Sequence, residues 1–320
     1  MKNKIIILSG DPNSINSEII YKSWKKLNFS KRKNIYVISN YTLLKRQFKI
    51  LKYPINLEVV TNINQKATND SLKILDISLN FKDPFNVPFK SSSKFIKKSF
   101  NLAHELALNK HIKGIINCPI SKNLLERKNQ GVTEFLASKC KIKNGSEVML
   151  IKSKFSSVSP ITTHIKLKDV SKRITSNLIE KKILTINKWF KKIYNKKPLI
   201  GLLGLNPHNA EYEKNSEEVK IIIPSVKKLR IKGIKVLGPL VADTIFIKDF
   251  KKYDVIVGMY HDQVLAPFKS LFNFDAINIT LGLKYLRLSP DHGVAKNIIK
   301  KKIADSTSLS KCIDFLIKLK

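Results

Sequence analysis

The stretch "YDVIVGMYHDQ", residues 253–263, joins an apolar run to three polar side chains. The β-branched residues of the run predict a short buried strand, and His261, Asp262 and Gln263 follow where it ends. Open α/β sheets bind ligands at the carboxyl ends of their strands, so this histidine stands where a ligand would bind. A lone histidine is more often a packed or exposed side chain. The assignment therefore depends on whether other histidines occur in the same context.

Two further histidines follow apolar runs in the same way. His164 ends the run in "VSPITTHI", residues 158–165, and His208 ends "PLIGLLGLNPH", residues 198–208. Neutral imidazoles at strand ends suit a divalent metal such as Zn²⁺, Co²⁺ or Mn²⁺. Asp262 and Asp243 are candidates for further ligands or for groups that orient a ring. The spacings are long, so three separate structural histidines stay open as the alternative on spacing alone.

The order of apolar runs along the chain indicates the fold class. Runs such as "KIIILSG", "NIYVIS", "NLEVV" and "IKGIINCPI" alternate with segments of helical periodicity, which predicts an α/β protein with a mainly parallel sheet. Residues 62–91 are rich in loop-forming residues. We predict one long helix over about 170–194, a second that Ser216 caps and Gly233 ends, and a mostly helical C-terminal segment from 291.

Composition bounds the class of protein. The chain has 320 residues, 43% of them apolar, and a formal net charge of +36. The length predicts two domains or one large α/β domain. Lysines occur in nearly every segment, so the charge predicts a solvated surface, and no nucleic acid is expected as a partner. No apolar run approaches the about 20 residues of a membrane span, and the short run near the start predicts the first strand of a cytoplasmic protein.

Two features predict the binding of an anion. The stretch "SGDPNSINSE", residues 9–18, joins a strand to a helix, where backbone N–H groups can hold a phosphate, although it lacks both standard nucleotide-binding loops. Lys269, Asn278 and Arg287 supply a cation, an amide and a guanidinium, which together suit a phosphate clamp. In a chain with 60 Lys and Arg, any one basic residue is more often a surface residue.

Taken in order, these segments resemble the 4-hydroxythreonine-4-phosphate dehydrogenase family of vitamin B6 synthesis, from residue 9 to about residue 300. The matching segments are "SGDP" with Glu18, "CPISK", "GVTEFLA", "THIKLKDV", "GLNPH", "GP" with "ADTIF", "MYHDQ", "NITLGL" and "DHG". The segments "GLNPH" and "MYHDQ" are the most specific. The resemblance implies a two-domain fold like that of isocitrate and isopropylmalate dehydrogenases, with largely parallel sheets and the active site in the interdomain cleft.

The resemblance also assigns the two domains and the oligomer. Residues 1–134 plus 271–320 form the first α/β domain, on the cofactor side, and residues 135–270 form the second, on the metal and dimer side. The family pattern implies a homodimer with shared active sites. The metal ligands would be His164, His208 and His261, contributed by both subunits, and the metal would be Zn²⁺, Co²⁺, Mn²⁺ or Mg²⁺.

The remaining site residues follow from the same resemblance. Substrate contacts map onto Thr133, Lys269, Asn278 and Arg287. Catalysis is assigned to Lys269 and Asp243, and binding of NAD or NADP to His292, Gly293 and Asn297. The implied reaction is oxidation of 4-phosphooxy-threonine at C3, followed by decarboxylation to 3-amino-2-oxopropyl phosphate. A metal that chelates the substrate hydroxyl lowers its pKa, and hydride then leaves C3 for the nicotinamide.

Four departures from the family pattern leave alternatives open. Val132 replaces a histidine of the family's G-H-T-E, "GDPNSINSE" replaces a glycine-rich loop, "HNAE" replaces "HAGE", and Asn297 replaces an aspartate, with Lys296 before it. The retained histidines and Lys269, Asn278 and Arg287 favour an active enzyme. The lost histidine favours a decayed or repurposed homologue that acts on a different phosphorylated hydroxy acid. A basic nucleic-acid-binding protein is the third alternative, and only the bulk charge favours it. The changes beside Asn297 predict that NADP is accepted alongside NAD.

Overall fold

The structure is a computed structural model that describes residues 3–65, 70–125, 131–142, 146–273 and 275–319. The strands are β1 Lys4–Leu8, β2 Ile35–Ser39, β3 Asn56–Val59, β4 Ser71–Asp76, β5 Ile112–Asn117, β6 Val148–Lys152, β7 Ser157–Pro160, β8 Ile200–Leu203, β9 Val236–Leu240, β10 Val255–Gly258, β11 Ile277–Leu281 and β12 Arg287–Pro290. The α-helices are α1 Asn16–Lys25, α2 Phe29–Arg32, α3 Tyr41–Ile50, α4 Phe89–Ala107, α5 Val132–Lys139, α6 Val170–Arg173, α7 Ser176–Tyr194, α8 Ile223–Ile231, α9 His261–Phe272 and α10 Thr307–Lys318. Of the helices described, none is both long and apolar enough to cross a membrane.

The chain divides into two compact units by its internal contacts. The first unit comprises residues 1–128 and 284–320, and the second comprises residues 129–283. The domain limits given by the sequence, 1–134 plus 271–320 and 135–270, stay a prediction, because a division by contacts does not test which segments fold together as a domain.

The first unit contains a parallel sheet in the order β3-β4-β2-β1-β5-β12. Its central strands are continuous apolar runs, as in "KIIIL" of β1, because helices cover the faces of a parallel sheet. Helix α3 begins where the Asn40 side chain accepts a hydrogen bond from Leu43 N at 2.9 Å, and helix α10 packs on β12 and α1. This unit positions the N-terminal turn and the C-terminal segment.

The second unit contains strands in the order β11-β6-β7-β10-β8-β9. Strands β7, β10, β8 and β9 are parallel, whereas β6 is antiparallel to both of its neighbours. Helix α9 packs its buried residues Val264, Leu265 and Phe268 against the core under β7 and β10. The predicted α/β class with largely parallel sheets is therefore confirmed.

Several predictions of local structure are wrong. The predicted helix over 170–194 is interrupted between α6 and α7, where Thr175 caps α7 by accepting a hydrogen bond from Leu178 N at 3.2 Å. Residues 62–91, which are rich in loop-forming residues, nevertheless contain the whole of β4, because its short apolar run is flanked by polar residues. Residues 291–306 are not helical apart from a short 3₁₀ turn, Lys296–Ile298, because the backbone is left-handed at Ala295, Lys300 and Lys302. Strand β12 was not predicted.

Candidate functional site

The three candidate histidines lie at one edge of one sheet. Strands β7, β10 and β8 are adjacent and parallel, and His164, His261 and His208 follow them in that order. The carboxyl ends of parallel strands meet at the same edge, so the second unit brings all three loops together there. His261 is the first residue of helix α9 rather than the last of a strand, and His208 lies in a separate turn.

Side chains and backbone groups connect the three loops directly. Thr162 N and Thr162 Oγ1 both donate to Met259 O, at 3.1 and 2.7 Å, which joins the loop of His164 to the loop of His261. Gln263 Nε2 donates to Gly204 O at 2.8 Å while Gln263 Oε1 accepts from Met259 N at 2.7 Å. Gln263 therefore joins the loop of His261 to the loop of His208. The positions of the three histidines are coupled through these bonds.

The rings of His164 and His261 lie side by side at the edge. Their centroids are 5.9 Å apart, and the two side chains are 37% and 34% exposed. His261 Nδ1 lies 2.6 Å from Asp262 Oδ1. An ionised carboxylate only accepts hydrogen bonds, so Asp262 favours the proton on Nδ1 and leaves Nε2 of His261 with its lone pair for a metal. His261 therefore presents one ring nitrogen of the kind that a divalent metal binds.

Glu134 is the charged neighbour of His164. Its Oε2 accepts a hydrogen bond from Gly131 N at 2.9 Å, which caps α5, and its Oε1 lies 3.6 Å from His164 Nδ1. Burial by itself raises the pKa of Glu134. Hydrogen bonds from His164 and the backbone, together with the charge of His164, outweigh this effect and lower the pKa to about 2. Glu134 therefore stays ionised and can orient the His164 ring.

Within the described residues, no three or more His, Cys, Asp or Glu side chains are grouped closely enough to hold a metal. The assignment of His164, His208 and His261 as ligands stays a prediction. Asp243 is exposed in the turn after β9.

Two of the predicted substrate contacts, Thr133 and Asn278, lie in the second unit. Thr133 Oγ1 lies 3.3 Å from Thr280 Oγ1, and Asn278 Oδ1 is buried with no hydrogen-bond partner among the described residues. A buried polar atom without a partner is uncommon and suits a ligand contact. Lys269, another predicted substrate contact, lies in helix α9.

Arg287 lies in the first unit at the start of β12. It is 3% exposed, and its Nε donates to Asn117 Oδ1 at 2.5 Å. A guanidinium held so firmly keeps one orientation. Whether Arg287 also binds the substrate phosphate is not tested by these contacts, and that role stays a prediction.

The predicted cofactor residues lie in the irregular segment after β12. His292 Nδ1 lies 3.0 Å from Gly293 O, and Asn297 is exposed in the 3₁₀ turn. This segment is anchored to helix α1. The buried Glu18 accepts from Ala304 N at 2.9 Å and from Lys22 Nζ at 2.7 Å. Glu18, which belongs to the segment "SGDP" with Glu18 that resembles the family, therefore fixes the chain at Ala304, just after the predicted cofactor residues.

A buried lysine near Thr133 and His164 was missed from the sequence. Lys182 of α7 is 6% exposed, lines a small pocket with both residues, and donates to Glu147 O at 2.9 Å. Burial lowers the pKa of Lys182, while the charges of Glu147 and Glu134 raise it. Its position on the apolar face of α7 could have revealed it, since a lysine in phase with buried residues must find partners inside.

Comparisons with known proteins agree with the resemblance. The family model described as "Pyridoxal phosphate biosynthetic protein PdxA" matches residues 31–316. A 4-hydroxythreonine-4-phosphate dehydrogenase from Sulfurihydrogenibium sp. is 39% identical over 99% of this chain and 98% of its own length. One from Aquifex aeolicus is 38% identical over 97% and 96%. The crystal structure of the Klebsiella pneumoniae enzyme of the same name superposes with a TM-score of 0.85 at 28% identity, covering 98% of both chains.

Proposed function

Because the chain belongs to the family of pyridoxal phosphate biosynthetic proteins PdxA, we propose that it is a 4-hydroxythreonine-4-phosphate dehydrogenase. It would oxidise 4-phosphooxy-threonine at C3 with NAD or NADP, and the product would lose CO₂ to give 3-amino-2-oxopropyl phosphate. The observation that carries this proposal is the delivery of His164, His261 and His208 to one edge of three adjacent parallel strands. The retained Lys269, Asn278 and Arg287 support it.

The residues of the edge have distinct tasks in this reaction. His164, His208 and His261 would hold a divalent metal, which when bound would polarise the C3 hydroxyl and stabilise negative charge on oxygen. Asp262 keeps the proton of His261 on Nδ1, and Glu134 orients His164. Thr133 and Asn278 would hydrogen-bond the substrate, while Lys269 and Arg287 would bind its phosphate.

Positioning is the main contribution of the protein. Binding energy from the phosphate, remote from the reacting carbon, would fix C3 against the nicotinamide. Lys269 and Asp243 are the proposed catalytic residues, and His292, Gly293 and Asn297 the proposed cofactor contacts. We also propose a homodimer whose sites take ligands from both subunits, in the cytoplasm. The location of the active site in a cleft stays a prediction.

A second candidate function follows from Val132, the first residue of α5 and the neighbour of Thr133. Valine cannot donate a hydrogen bond, so a substrate anchor of the family pattern is missing. The chain would then act on a different phosphorylated hydroxy acid. The alternative of a nucleic-acid-binding protein has only the bulk charge to favour it.

A spectrophotometric assay of reduced-cofactor formation tests the proposal. The purified chain is assayed with 4-phosphooxy-threonine and with related phosphorylated hydroxy acids, with and without added Zn²⁺, Co²⁺, Mn²⁺ or Mg²⁺. We expect metal-dependent turnover of 4-phosphooxy-threonine. Turnover of only another hydroxy acid would support the second candidate, and no turnover of any would overturn both.

Substitution of a histidine links this activity to the edge of the sheet. We expect His208→Ala to remove most bound metal and most activity, because it deletes one of few protein ligands. His111, an exposed histidine of the first unit, is the matched control, and His111→Ala should retain both. Unchanged metal content in His208→Ala would refute the ligand assignment.

A further inference from the structure

His208 lies in a turn of unusual backbone conformation. Five consecutive residues, 208–212, have positive φ values between 44° and 58°. None of them is glycine, and a left-handed conformation costs an L-residue roughly 1–2 kcal/mol. Such a turn persists only where its surroundings determine it, and an observed outlier of this kind is a reason to look for function. The question is which groups hold this turn in place.

Glu218 holds the residues that lead into the turn. It is 0% exposed. Its Oε1 accepts hydrogen bonds from Leu205 N at 2.7 Å and Asn206 N at 2.8 Å, and its Oε2 accepts from Asn206 Nδ2 at 3.0 Å. These donors are all amides of the two residues at the entrance to the turn. The carboxylate therefore fixes the direction in which the chain reaches Pro207 and His208.

The local fold turns Glu218 towards this loop. Residues Glu218–Ile222 form a π-helical turn, in which Ile223 N donates to Glu218 O, and Pro224, which has no N–H to donate, follows in α8. Single π turns occur frequently at functional sites. The packing also requires a glycine at position 204. A Cβ there would lie well inside contact distance of Asn209 Oδ1 and 3.1 Å from Glu218 Oε1. The arrangement is tightly packed around the carboxylate.

We propose that Glu218 is a positioning residue for His208, which it orients through the backbone of Leu205 and Asn206 for binding of a divalent metal. The inference rests on the proposed function, since it takes His208 as a ligand. Burying a carboxylate is costly, and amide hydrogen bonds offset that cost only with accurate geometry. A carboxylate so placed makes the turn rigid. Partners behind metal ligands typically contribute about 10–100-fold to metal affinity.

The test measures the affinity for Zn²⁺ alone, by calorimetric titration of the full chain stripped of metal. The variant is Glu218→Gln, which keeps the shape of the side chain. Its amide N–H₂ group, however, cannot accept the hydrogen bond from Asn206 Nδ2. The matched control is Asp254→Asn. Asp254 Oδ2 accepts from Leu199 N at 2.9 Å, at the opposite edge of the same sheet, so the control makes the same chemical change away from the histidines. Thermal unfolding of both variants is measured in parallel.

We expect Glu218→Gln to weaken Zn²⁺ binding by about tenfold and Asp254→Asn to leave it within twofold, while both lower the melting temperature. Equal affinity in wild type and Glu218→Gln would overturn the inference and leave the metal site standing. An equal loss in Asp254→Asn would also overturn it, because general destabilisation would then explain the effect. A wild-type chain that binds no divalent metal would overturn the metal site and this inference together.

Discussion

Replacement of Gln263 by alanine tests the coupling between the loops of His261 and His208. The Gln263 side chain satisfies two backbone groups at once, Gly204 O at 2.8 Å and Met259 N at 2.7 Å. Met259 is 0% exposed and Gly204 is buried. In Gln263→Ala both groups lose their partner.

The cost follows from these two groups. A buried polar group left without a hydrogen bond costs about 1–3 kcal/mol, so the pair costs about 2–6 kcal/mol. Gln263 is only half-buried, so water can enter the space left by the side chain, and we expect the lower part of this range, about 2–3 kcal/mol. That is a large fraction of the about 5–15 kcal/mol by which folded proteins are stable. The two loops should also lose their register, and Zn²⁺ binding should weaken.

Urea unfolding followed by circular dichroism, with Zn²⁺ titration in parallel, measures both effects. Gln47 provides the control, because its Nε2 donates to Pro12 O at 3.0 Å and Pro84 O at 2.7 Å in the first unit. Gln47→Ala should destabilise the chain without weakening Zn²⁺ binding. A loss of unfolding free energy below about 1 kcal/mol in Gln263→Ala would show that water replaces the side chain fully. Equal Zn²⁺ affinity in the two variants would refute the coupling.

Three further predictions address the ligands, the substrate and the cofactor. In a homodimer with shared sites, each site would take two histidines from one subunit and one from the other. When His164→Ala, His208→Ala and His261→Ala chains are mixed in pairs, two of the three mixtures should therefore regain activity. No recovery in confirmed mixed dimers would place each site within one chain. Val132→His should lower the KM for 4-phosphooxy-threonine, because it restores a donor beside the substrate, and an unchanged KM would show that this position does not contact it. Asn297→Asp should reduce kcat/KM with NADP by about tenfold relative to NAD, because the new carboxylate repels a 2′-phosphate. A native preference for NAD of a hundred-fold or more that the substitution does not change would contradict this prediction.

Periodicity in the sequence was enough to predict most strands and to place three histidines directly after apolar runs. These features depend on local composition and on the rule that parallel strands present their carboxyl ends together. Strand β12 was missed because it is only four residues long. The segment after it was predicted as helical because its lysines resemble the polar face of a helix. The break at Thr175 was missed for a related reason, since the apolar spacing continues across it while the cap hydrogen bond depends on one hydroxyl.

The groups that hold the histidines could not be predicted, because each acts across a long separation in the chain. Gln263 bonds to a carbonyl 59 residues away, and no local pattern marks that pairing. Glu218 stands near the start of the helix that Ser216 was predicted to cap, whereas its amide partners lie 12 and 13 residues earlier.

These two side chains follow from one physical requirement of the fold. Where parallel strands end, the backbone groups that follow lose the regular hydrogen bonds between strands. The first residues after β8 and β10, Gly204 and Met259, are nevertheless buried. Buried N–H and C=O groups must be paired, so polar side chains have to enter the edge and replace the ladder. Gln263 and Glu218 do so at the turns that carry His261 and His208. The orientation of the candidate ligands therefore depends on residues that bind nothing themselves, and substitutions at those residues should impair the site while the three histidines remain.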